Sequence, residues 1–291
     1  MALCTLCPRA CGADREMGQL GFCGQGKEIQ IARASLHAYE EPCISGVRGS
    51  GTVFFVGCTL RCSFCQNRAI SRGESKGQTL TPQELSDLFL DLEAQGAHNI
   101  NLVTATQFTP AVTEALTLAK PRLSIPVVWN SSGYERPDTL RMLDGLVDVY
   151  LPDYKYSSPE LASRYSAAPN YPAAAREALV EMYRQVGRCV FDGEGMMQRG
   201  VLVRHLILPS CRHDSMAALE ELSSLLPVSE IRLSLMSQYT PEFAMDSPYK
   251  ELHRRLTAFE YESVLSRALA LGFEGYMQGR SSASAAYTPE F

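Results

Sequence analysis

Short runs of apolar, often β-branched residues alternate along most of the chain with longer stretches that are apolar on one helical face. Each short run is apolar at successive positions, as expected for strands buried on both faces of a parallel sheet. The predicted strands cover residues 52–57, 99–103, 125–130, 147–151, 201–208 and 230–236. Strands that alternate with helices form right-handed βαβ units, so the pattern predicts an open parallel sheet or a barrel.

Helix-start signals lie in the gaps between these runs. Thr81 is followed by Pro82 and Glu84, the pattern of an N-cap, a proline in the first turn and an acidic third residue, which predicts a helix ending near Gly96. Further helices are predicted to begin at Thr109, to run from Tyr171 to Gln185, and to cover residues 249–271 ahead of Gly272. These helices would cover the faces of the sheet.

The distribution of cysteine and glycine divides the chain into three predicted parts. Residues 1–50 are rich in both and show little periodicity, which is typical of a small cap held by metal rather than by its own core. Residues 51–240 carry the strand–helix alternation, and residues 241–291 carry the last helix and a tail. The predicted fold is an α/β partial (β/α)6 barrel of the TIM type, with a Cys-rich N-terminal cap and a C-terminal helical extension.

The composition narrows the classes of function. The 291 residues are 45% hydrophobic and 20% charged, close to the globular average and enough for one large domain. The net charge is −5 and the basic residues are scattered, so no nucleic-acid partner is expected. No stretch approaches the roughly 20 apolar residues of a membrane span, and the N-terminus lacks the apolar region of a signal peptide. We therefore expect a cytoplasmic protein without a membrane partner.

Cysteine use points to metal chemistry. The chain has 10 cysteines, and all but Cys189 and Cys211 come before residue 66. Disulfides rarely persist in a reducing cytoplasm, where clustered cysteines more often bind metal or do redox chemistry.

Cys58, Cys62 and Cys65 directly follow the first predicted strand, with the spacing C-x3-C-x2-C. Barrel enzymes place their chemistry at this end of a strand. Iron–sulfur clusters are held by Cys thiolates, and a four-iron cluster with three protein ligands leaves one iron open to a small molecule. The alternatives are a closed zinc site with a fourth cysteine such as Cys43, or three buried thiols. Closed zinc sites usually use two C-x2-C units, and that pairing is absent here.

The central segment also resembles a known family. Phe64 stands just before the last cysteine, and C-x3-C-x2-C with an aromatic residue there resembles the signature of radical SAM enzymes. Residues 41–67 resemble, more specifically, the proteins related to pyruvate formate-lyase activating enzyme. The similarity continues in residues 101–104, 148–155, 182–187, 199–206 and 235–239.

The resemblance implies a cofactor pair and a reaction. A [4Fe–4S] cluster would bind the amino and carboxylate groups of S-adenosylmethionine (SAM) at its open iron. Reductive cleavage of SAM would give methionine and a 5′-deoxyadenosyl radical, which abstracts a hydrogen atom from the substrate. The cofactors carry this chemistry, while the protein binds and orients them and excludes water from the site.

Polar side chains at the ends of predicted strands are the candidates for binding SAM. Asp153 and Lys155 match the Asp-x-Lys motif of the activating enzymes, and opposite charges in so apolar a segment would be costly to bury without a partner. Arg204 suits a carboxylate, because a guanidinium pairs with it in a planar fork. For each residue, a polar cap at a strand end is the competing interpretation. The predicted cofactor-binding residues are Phe64, Thr104, Thr106, Asn130, Ser132, Asp153, Lys155, Arg204 and Gln238.

One segment departs from the activating enzymes. They carry a Gly-Gly-Glu motif after the second strand, whose backbone and acid receive the ammonium group of SAM. Residues 103–110 of this chain contain neither a glycine pair nor an acid. Thr and Gln oxygens could accept the same hydrogen bonds, but without the negative charge.

A second set of cysteines lies at the N-terminus. Cys4, Cys7, Cys11 and Cys23 have the spacing C-x2-C-x3-C-x11-C, which suits a four-thiolate metal site. Zinc would make a structural clamp, whereas an auxiliary iron–sulfur cluster could relay electrons, and Cys-Pro junctions occur in bacterial ferredoxins. The spacing does not distinguish the two metals, and free thiols on a flexible tail are a third alternative.

The predicted function is that of a radical SAM enzyme that abstracts hydrogen from a peptide or protein substrate, as an activase of a glycyl-radical enzyme does. An electron donor such as flavodoxin or ferredoxin is the other expected partner. The alternatives are radical chemistry on a small molecule, and a non-catalytic iron–sulfur electron carrier or zinc-stapled binding protein.

Overall fold

Parallel strands form the centre of the fold in the computed structural model, which describes residues 3–73 and 77–277. The strands of the described chain are β1 (Ile29–His37), β2 (Ser50–Phe55), β3 (Gln78–Leu80), β4 (Ile100–Val103), β5 (Val127–Ser131), β6 (Val149–Pro152), β7 (Val190–Phe191), β8 (Met197–Leu206), β9 (Arg232–Met236) and β10 (Gly275–Met277). Their order is β10-β9-β8-β6-β5-β4-β2-β1-β3, with β7 paired to β8. In this sheet order, all neighbouring strands between β2 and β10 are parallel. The sheet does not close on itself.

Helices bury their apolar faces against these strands. They are α1 (Pro42–Ser45), α2 (Arg68–Ser71), α3 (Pro82–Ala94), α4 (Thr109–Ala119), α5 (Pro137–Leu140), α6 (Pro159–Ser166), α7 (Tyr171–Val186), α8 (Arg212–Leu225) and α9 (Ala258–Ala270). Short 3-10 turns cover Thr106–Phe108, Arg141–Leu143, Pro241–Ala244 and Lys250–Leu252. In the described chain, no helix has both the length and the apolar character that crossing a membrane requires.

The predicted fold class is confirmed. All six predicted strands are present as β2, β4, β5, β6, β8 and β9, so the core is the expected partial (β/α)6 barrel. Helix α3 begins as predicted, because the Thr81 side chain accepts from the Glu84 N–H while the Glu84 side chain accepts from the Thr81 N–H. The predicted helix starts at Thr109 and Tyr171 are also observed.

The last helix is shorter than predicted. The sequence pattern indicated one helix over residues 249–271, but the structure has the turn Lys250–Leu252 and then α9, which starts at Ala258. The reason is a capping box at Thr257 and Glu260, which satisfies the first N–H groups of the helix there. Gly272 follows the helix with φ +83°, in agreement with its predicted position behind the last turn.

Strands β1, β3, β7 and β10 were not predicted. In β1, partly exposed polar residues interrupt the apolar pattern, and the strand pairs antiparallel with β2 and β3. Residues 29–37 of the predicted cap therefore belong to the same sheet as the barrel, whereas residues 3–28 contain no helix or strand. The boundaries of the three predicted parts stay a prediction.

Helix α1 covers the end of the barrel where the strands begin. Its residues Cys43 and Ile44 contact Val128 and Leu202 in a small apolar cluster, and the Asn99 side chain, just ahead of β4, donates to the Ile44 carbonyl. The opposite end, where the strands finish, is left for a binding site.

Candidate active site

A cavity of ≈ 220 Å³ lies at the carboxyl ends of the barrel strands. Its wall comes from the loop after β2 and from the ends of β4, β5, β6, β8 and β9, the position at which barrel enzymes bind their ligands. Most predicted site residues line it, namely Cys58, Cys62, Phe64, Cys65, Thr104, Asn130, Ser132, Asp153, Lys155, Arg204 and Gln238. The structure therefore brings together residues that are distant in sequence, while their individual roles stay predictions.

The three central thiols each have a hydrogen-bond partner. These contacts are Leu60 N–H to Cys58 Sγ at 3.4 Å, Cys62 Sγ to Ser166 Oγ at 3.0 Å, and Cys65 Sγ to Ser71 Oγ at 3.4 Å. The Ser63 N–H also donates to the Tyr165 carbonyl at 2.8 Å, which ties the loop to α6. Cys43, the fourth ligand of the alternative zinc site, does not line the cavity and lies in α1 at the other end of the barrel.

Burial decides the protonation of Cys58 and Cys62. It raises the pKa of Cys58 to about 12, with a further contribution from the nearby Cys62. Burial also raises the pKa of Cys62, although the Lys155 ammonium opposes this. Thiols of this kind become thiolates when a metal supplies the compensating positive charge.

The donor set fits an iron–sulfur cluster. Within residues 3–73 and 77–277, no three or more His, Cys, Asp and Glu side chains converge on a point that could hold a single metal ion. A four-iron cluster does not need such convergence, because each thiolate binds a different iron. Three thiols on one loop, beside a cavity with polar walls, satisfy this requirement.

A buried ion-pair network lies on the cavity wall next to the thiols. Lys155 Nζ is 2.5 Å from Asp153 Oδ2, and Arg204 Nε is 3.0 Å from Asp153 Oδ1. Burial opposes the charge on Asp153, but Lys155 and Arg204 outweigh it and hold the pKa of this carboxyl below its usual value. Burial likewise opposes the charge on Lys155, yet Asp153 and Cys62 raise its pKa. Both groups are therefore charged at neutral pH.

Glu40 extends this network into the barrel. The remaining nitrogens of the Arg204 guanidinium donate to Asn130 Oδ1 at 2.6 Å and to Glu40 Oε2 at 3.3 Å. The Asn101 side chain donates to Glu40 Oε1 at 3.2 Å. The sequence analysis missed Glu40, because it precedes α1 and does not end a predicted strand. Arg204 thus holds three side chains from separate parts of the chain in one arrangement.

Residues 103–110, which lack a glycine pair and an acid, are organised by Gln107. Its Nε2 donates to the carbonyls of Val56 at 2.9 Å, Gly57 at 3.2 Å and Thr104 at 2.7 Å. These bonds connect the loop after β2 to the loop after β4, where Thr104 has φ +61° and lines the cavity. The Gln107 Oε1 atom is buried and lacks a hydrogen-bond partner within the described chain.

The structure does not place Thr106 on the cavity. Its hydroxyl donates to Glu135 Oε1 at 2.8 Å, and its side chain is buried. Glu135 also accepts from Trp129 Nε1 at 2.6 Å and from Ser131 Oγ at 2.7 Å. Burial raises the pKa of Glu135, which these donors oppose. No sequence motif marks Glu135, since it lies in a loop after β5.

The N-terminal thiols are not part of the cavity wall. None of Cys4, Cys7, Cys11 and Cys23 lines the cavity. Burial raises the pKa of Cys7 to about 11, and the other three thiols add to the rise, so the four are electrostatic neighbours.

A site with three free thiols at the strand ends of a parallel barrel is typical of enzymes that use a thiolate-bound metal cluster. The model of the Radical SAM superfamily matches residues 52–200, just over half of the chain, and the chain belongs to this superfamily. It is therefore an enzyme of that class, and membership implies a [4Fe–4S] cluster and SAM as cofactors.

Individual relatives add little about the substrate. The chain is 29% identical over 271 residues to the uncharacterized protein MJ0674 of Methanocaldococcus jannaschii, a match that covers 91% of this chain and 74% of the relative.

Two solved structures share the fold. Streptococcus suis SuiB bound to the precursor peptide SuiA has a TM-score of 0.50 at 10% identity, over 76% of this chain and 46% of that one. HydG, a maturase of the [FeFe]-hydrogenase, has a TM-score of 0.51 at 12% identity, over 75% of this chain and 48% of that one. This chain thus spans about half of each of them, and the similarity shows the fold alone.

Proposed function

We propose that this enzyme cleaves SAM reductively at a cluster held by Cys58, Cys62 and Cys65, and that it directs the resulting radical at a peptide or protein substrate, as a glycyl-radical activase does. One observation carries the proposal: the three thiols and the ion-pair network of Asp153 and Lys155 line the same cavity. When bound, a reduced four-iron cluster supplies the electron that breaks the sulfonium C–S bond and leaves a 5′-deoxyadenosyl radical.

The side chains on the wall have separate tasks in this proposal. Four polar side chains on the wall offer hydroxyl and amide groups to the polar ends of SAM. They are Asn130, Ser132, Thr104 and Gln238. Lys155 lies close enough to Cys62 to affect its pKa, so its ammonium is a positive charge beside the proposed cluster ligands on the same cavity wall.

Apolar residues on the same wall keep water away from a reactive radical. They are Phe55, Phe64, Val103, Leu206 and Met236. Phe64 is itself buried and contacts the ring of Tyr239 with a centroid separation of 6.2 Å, which fixes its orientation. Exclusion of water prevents quenching and side reactions.

The substrate class is supported by the blocks that resemble activating enzymes. The SuiB fold accommodates a precursor peptide, so this architecture is compatible with a peptide substrate. A small-molecule substrate is the second candidate, and it is favoured by the small cavity of ≈ 220 Å³ and by helix α1, which covers the opposite end of the barrel. The proposal includes an electron donor such as flavodoxin or ferredoxin. It also includes a reducing cytoplasm as the location, because ten free thiols persist in such a compartment.

Product analysis tests the reaction. Anaerobically reconstituted protein with dithionite and SAM should yield 5′-deoxyadenosine. The variant Cys58→Ala/Cys62→Ala/Cys65→Ala should yield none, and the matched control Cys189→Ala should behave as wild type, because Cys189 does not line the cavity. The absence of product from fully loaded, reduced wild-type protein would contradict the proposal.

Isotope transfer tests the substrate class. A perdeuterated cell extract is separated into macromolecular and small-molecule fractions, and each is added to the reaction. Deuterium in 5′-deoxyadenosine, measured by mass spectrometry, is expected with the macromolecular fraction only. Transfer from the small-molecule fraction alone would establish the second candidate instead.

A further inference from the structure

Residues 3–28 lack the usual means of holding a fixed shape. They contain no helix or strand, and their large apolar side chains Leu3, Met17 and Leu20 are 56%, 71% and 66% exposed. So little buried apolar surface does not offset the entropy of ordering such a segment. Another interaction must hold it.

The four N-terminal cysteines meet within this segment. A Cβ on Gly21 would lie 3.3 Å from Cys23 Sγ and 3.4 Å from Cys11 Sγ, so these two sulfurs flank one backbone position. The Cys4 N–H donates to the Ala13 carbonyl at 3.0 Å and the Gly12 N–H donates to the Cys4 carbonyl at 3.1 Å, so Cys4 lies beside the backbone that carries Cys11. With Cys7 as their electrostatic neighbour, all four thiols form one group.

Backbone N–H groups are directed at these sulfurs. In three cases the donor is two residues after the cysteine: Arg9 for Cys7, Ala13 for Cys11 and Gln25 for Cys23. The central loop uses the same turn, since the Leu60 N–H donates to Cys58. Hydrogen bonds in this position orient sulfurs that serve as metal ligands.

The segment is also joined to the central loop. Arg9 Nε donates to the Thr59 carbonyl at 2.9 Å, and Arg61 donates to the Phe22 carbonyl. The guanidinium groups of Arg9 and Arg61 lie 4.0 Å and 4.5 Å from the centre of the Phe22 ring. Two arginines therefore clamp one aromatic ring between the two cysteine-bearing segments.

We propose that Cys4, Cys7, Cys11 and Cys23 bind a second iron–sulfur cluster, and that its loading holds residues 57–65 in place. Zinc is not proposed, because no three thiols of the described chain converge on one point, whereas in a cluster each thiolate binds a different iron. Four thiolates in one group repel each other, and a bound cation removes that repulsion and orders the segment. The ordered segment then supports the central loop through Arg9, Arg61 and Phe22. This inference goes beyond the proposed function and does not require that SAM be cleaved.

Metal analysis of a variant without the central ligands tests the site. Cys58→Ala/Cys62→Ala/Cys65→Ala, reconstituted anaerobically with iron and sulfide, should retain about four irons per chain. Adding Cys11→Ala should reduce the iron content several-fold. Cys11 is chosen because it is the exposed cysteine of the four and is least needed for folding. Adding Cys189→Ala instead is the matched control and should change nothing. A folded triple variant that retains no iron overturns the proposal, whatever the wild-type enzyme does with SAM.

Hydrogen exchange tests the link to the central loop. In Cys11→Ala, peptides that cover residues 57–65 should exchange several-fold faster than in wild type, while peptides from α3 should be unchanged. Cys189→Ala should match wild type in both regions. Unchanged exchange in residues 57–65, in a variant that has lost its N-terminal metal, would show that the second centre does not support the loop.

Discussion

The guanidinium of Arg204 and the carboxylate of Asp153 form a buried ion pair across the ends of two barrel strands, with Nε 3.0 Å from Oδ1. The two residues are also bridged through their backbones as parallel neighbours, although they are 51 positions apart in sequence. Lys155 holds the second carboxylate oxygen. The cavity wall beside the central thiols thus depends on one acid that serves two cations.

Replacing that acid should damage stability and cofactor binding together. Asp153→Asn leaves Lys155 and Arg204 short of a buried counter-charge, so we expect a loss of about 3–5 kcal/mol in the free energy of unfolding. We also expect at least tenfold weaker SAM binding, measured by calorimetry on reconstituted protein. The exposed pair Arg267–Glu220 provides the control, because Arg267→Ala should lower the free energy of unfolding by no more than about 1 kcal/mol. Equal losses in the two variants would show that the network is not important for stability.

Gly57 marks the contact between the N-terminal segment and the central loop. Its φ is +85°, and a Cβ there would lie 2.5 Å from Gln25 Cγ and 2.6 Å from the Cys23 carbonyl oxygen. Gly96 has a similar φ of +94° but nothing within 4 Å. Gly96→Ala should therefore lower the free energy of unfolding only through backbone strain, by about 1–2 kcal/mol.

Gly57→Ala should cost more than Gly96→Ala in urea unfolding, because the steric clash is added to the same strain. It should also expose the segment before β1 to limited proteolysis, while Gly96→Ala should leave the cleavage pattern unchanged. Equal stability and equal cleavage would mean that the close contact at Gly57 is easily relaxed.

Glu135 should tolerate the loss of its charge but not the loss of its side chain. It accepts three hydrogen bonds and has no ion-pair partner within the described chain. Glu135→Gln keeps an acceptor for Trp129 and Thr106 and a donor for Ser131, so we expect less than about 1 kcal/mol of destabilisation. Glu135→Ala leaves buried donors without partners, at about 1–3 kcal/mol each. Thermal unfolding of both variants measures the difference, and equal losses would contradict this role.

The sequence predicted what depends on local pattern. The six barrel strands follow from apolar runs, and because parallel strands end at one edge, residues such as Asp153 and Arg204 could be named as candidates for one site. Ser166 could not be foreseen, since it meets Cys62 from 104 positions away through the packing of α6. Thr106 follows a strand as Thr104 does, but a 3-10 turn directs it to Glu135. The last helix starts at Ala258, later than its predicted start at Tyr249, because the capping box of Thr257 and Glu260 sets its first turn.

His205 should make stability depend on pH. Its Nδ1 lies 2.6 Å from the Tyr154 carbonyl oxygen, and its Nε2 is buried without a hydrogen-bond partner in the described structure. Burial lowers the pKa of His205 from 6.5 to about 4. The unfolded chain therefore binds a proton that the folded chain rejects, so stability present above pH 6.5 is lost as the pH falls toward 4.

Between pH 7.5 and pH 5.5, wild-type protein should lose about 1.4 kcal/mol more stability than His205→Gln, which cannot titrate. Urea unfolding of reconstituted protein at the two pH values measures this difference. The exposed His213→Gln is the control and should follow wild type. A His205→Gln variant with the same pH dependence as wild type would show that the buried imidazole is not responsible.

Ser166 should tune the reduction potential of the central cluster. Its Oγ lies 3.0 Å from Cys62 Sγ and 2.8 Å from the Tyr156 hydroxyl, so Tyr156 can donate to Ser166 while Ser166 donates to the sulfur. Hydrogen bonds to ligand sulfurs stabilise the reduced, more negative state of a cluster. Ser166→Ala should therefore make the potential more negative, as measured by an EPR-monitored redox titration.

Ser63→Ala is the matched control for this titration, because its hydroxyl is buried in the same loop and makes no hydrogen bond within the described chain. It should leave the potential unchanged. Since Ser166→Ala also leaves the Tyr156 hydroxyl without a partner, a stability loss of about 1–3 kcal/mol is expected in addition. A potential that stays constant in Ser166→Ala while stability falls would assign Ser166 a structural role and leave the cluster to be tuned by other groups.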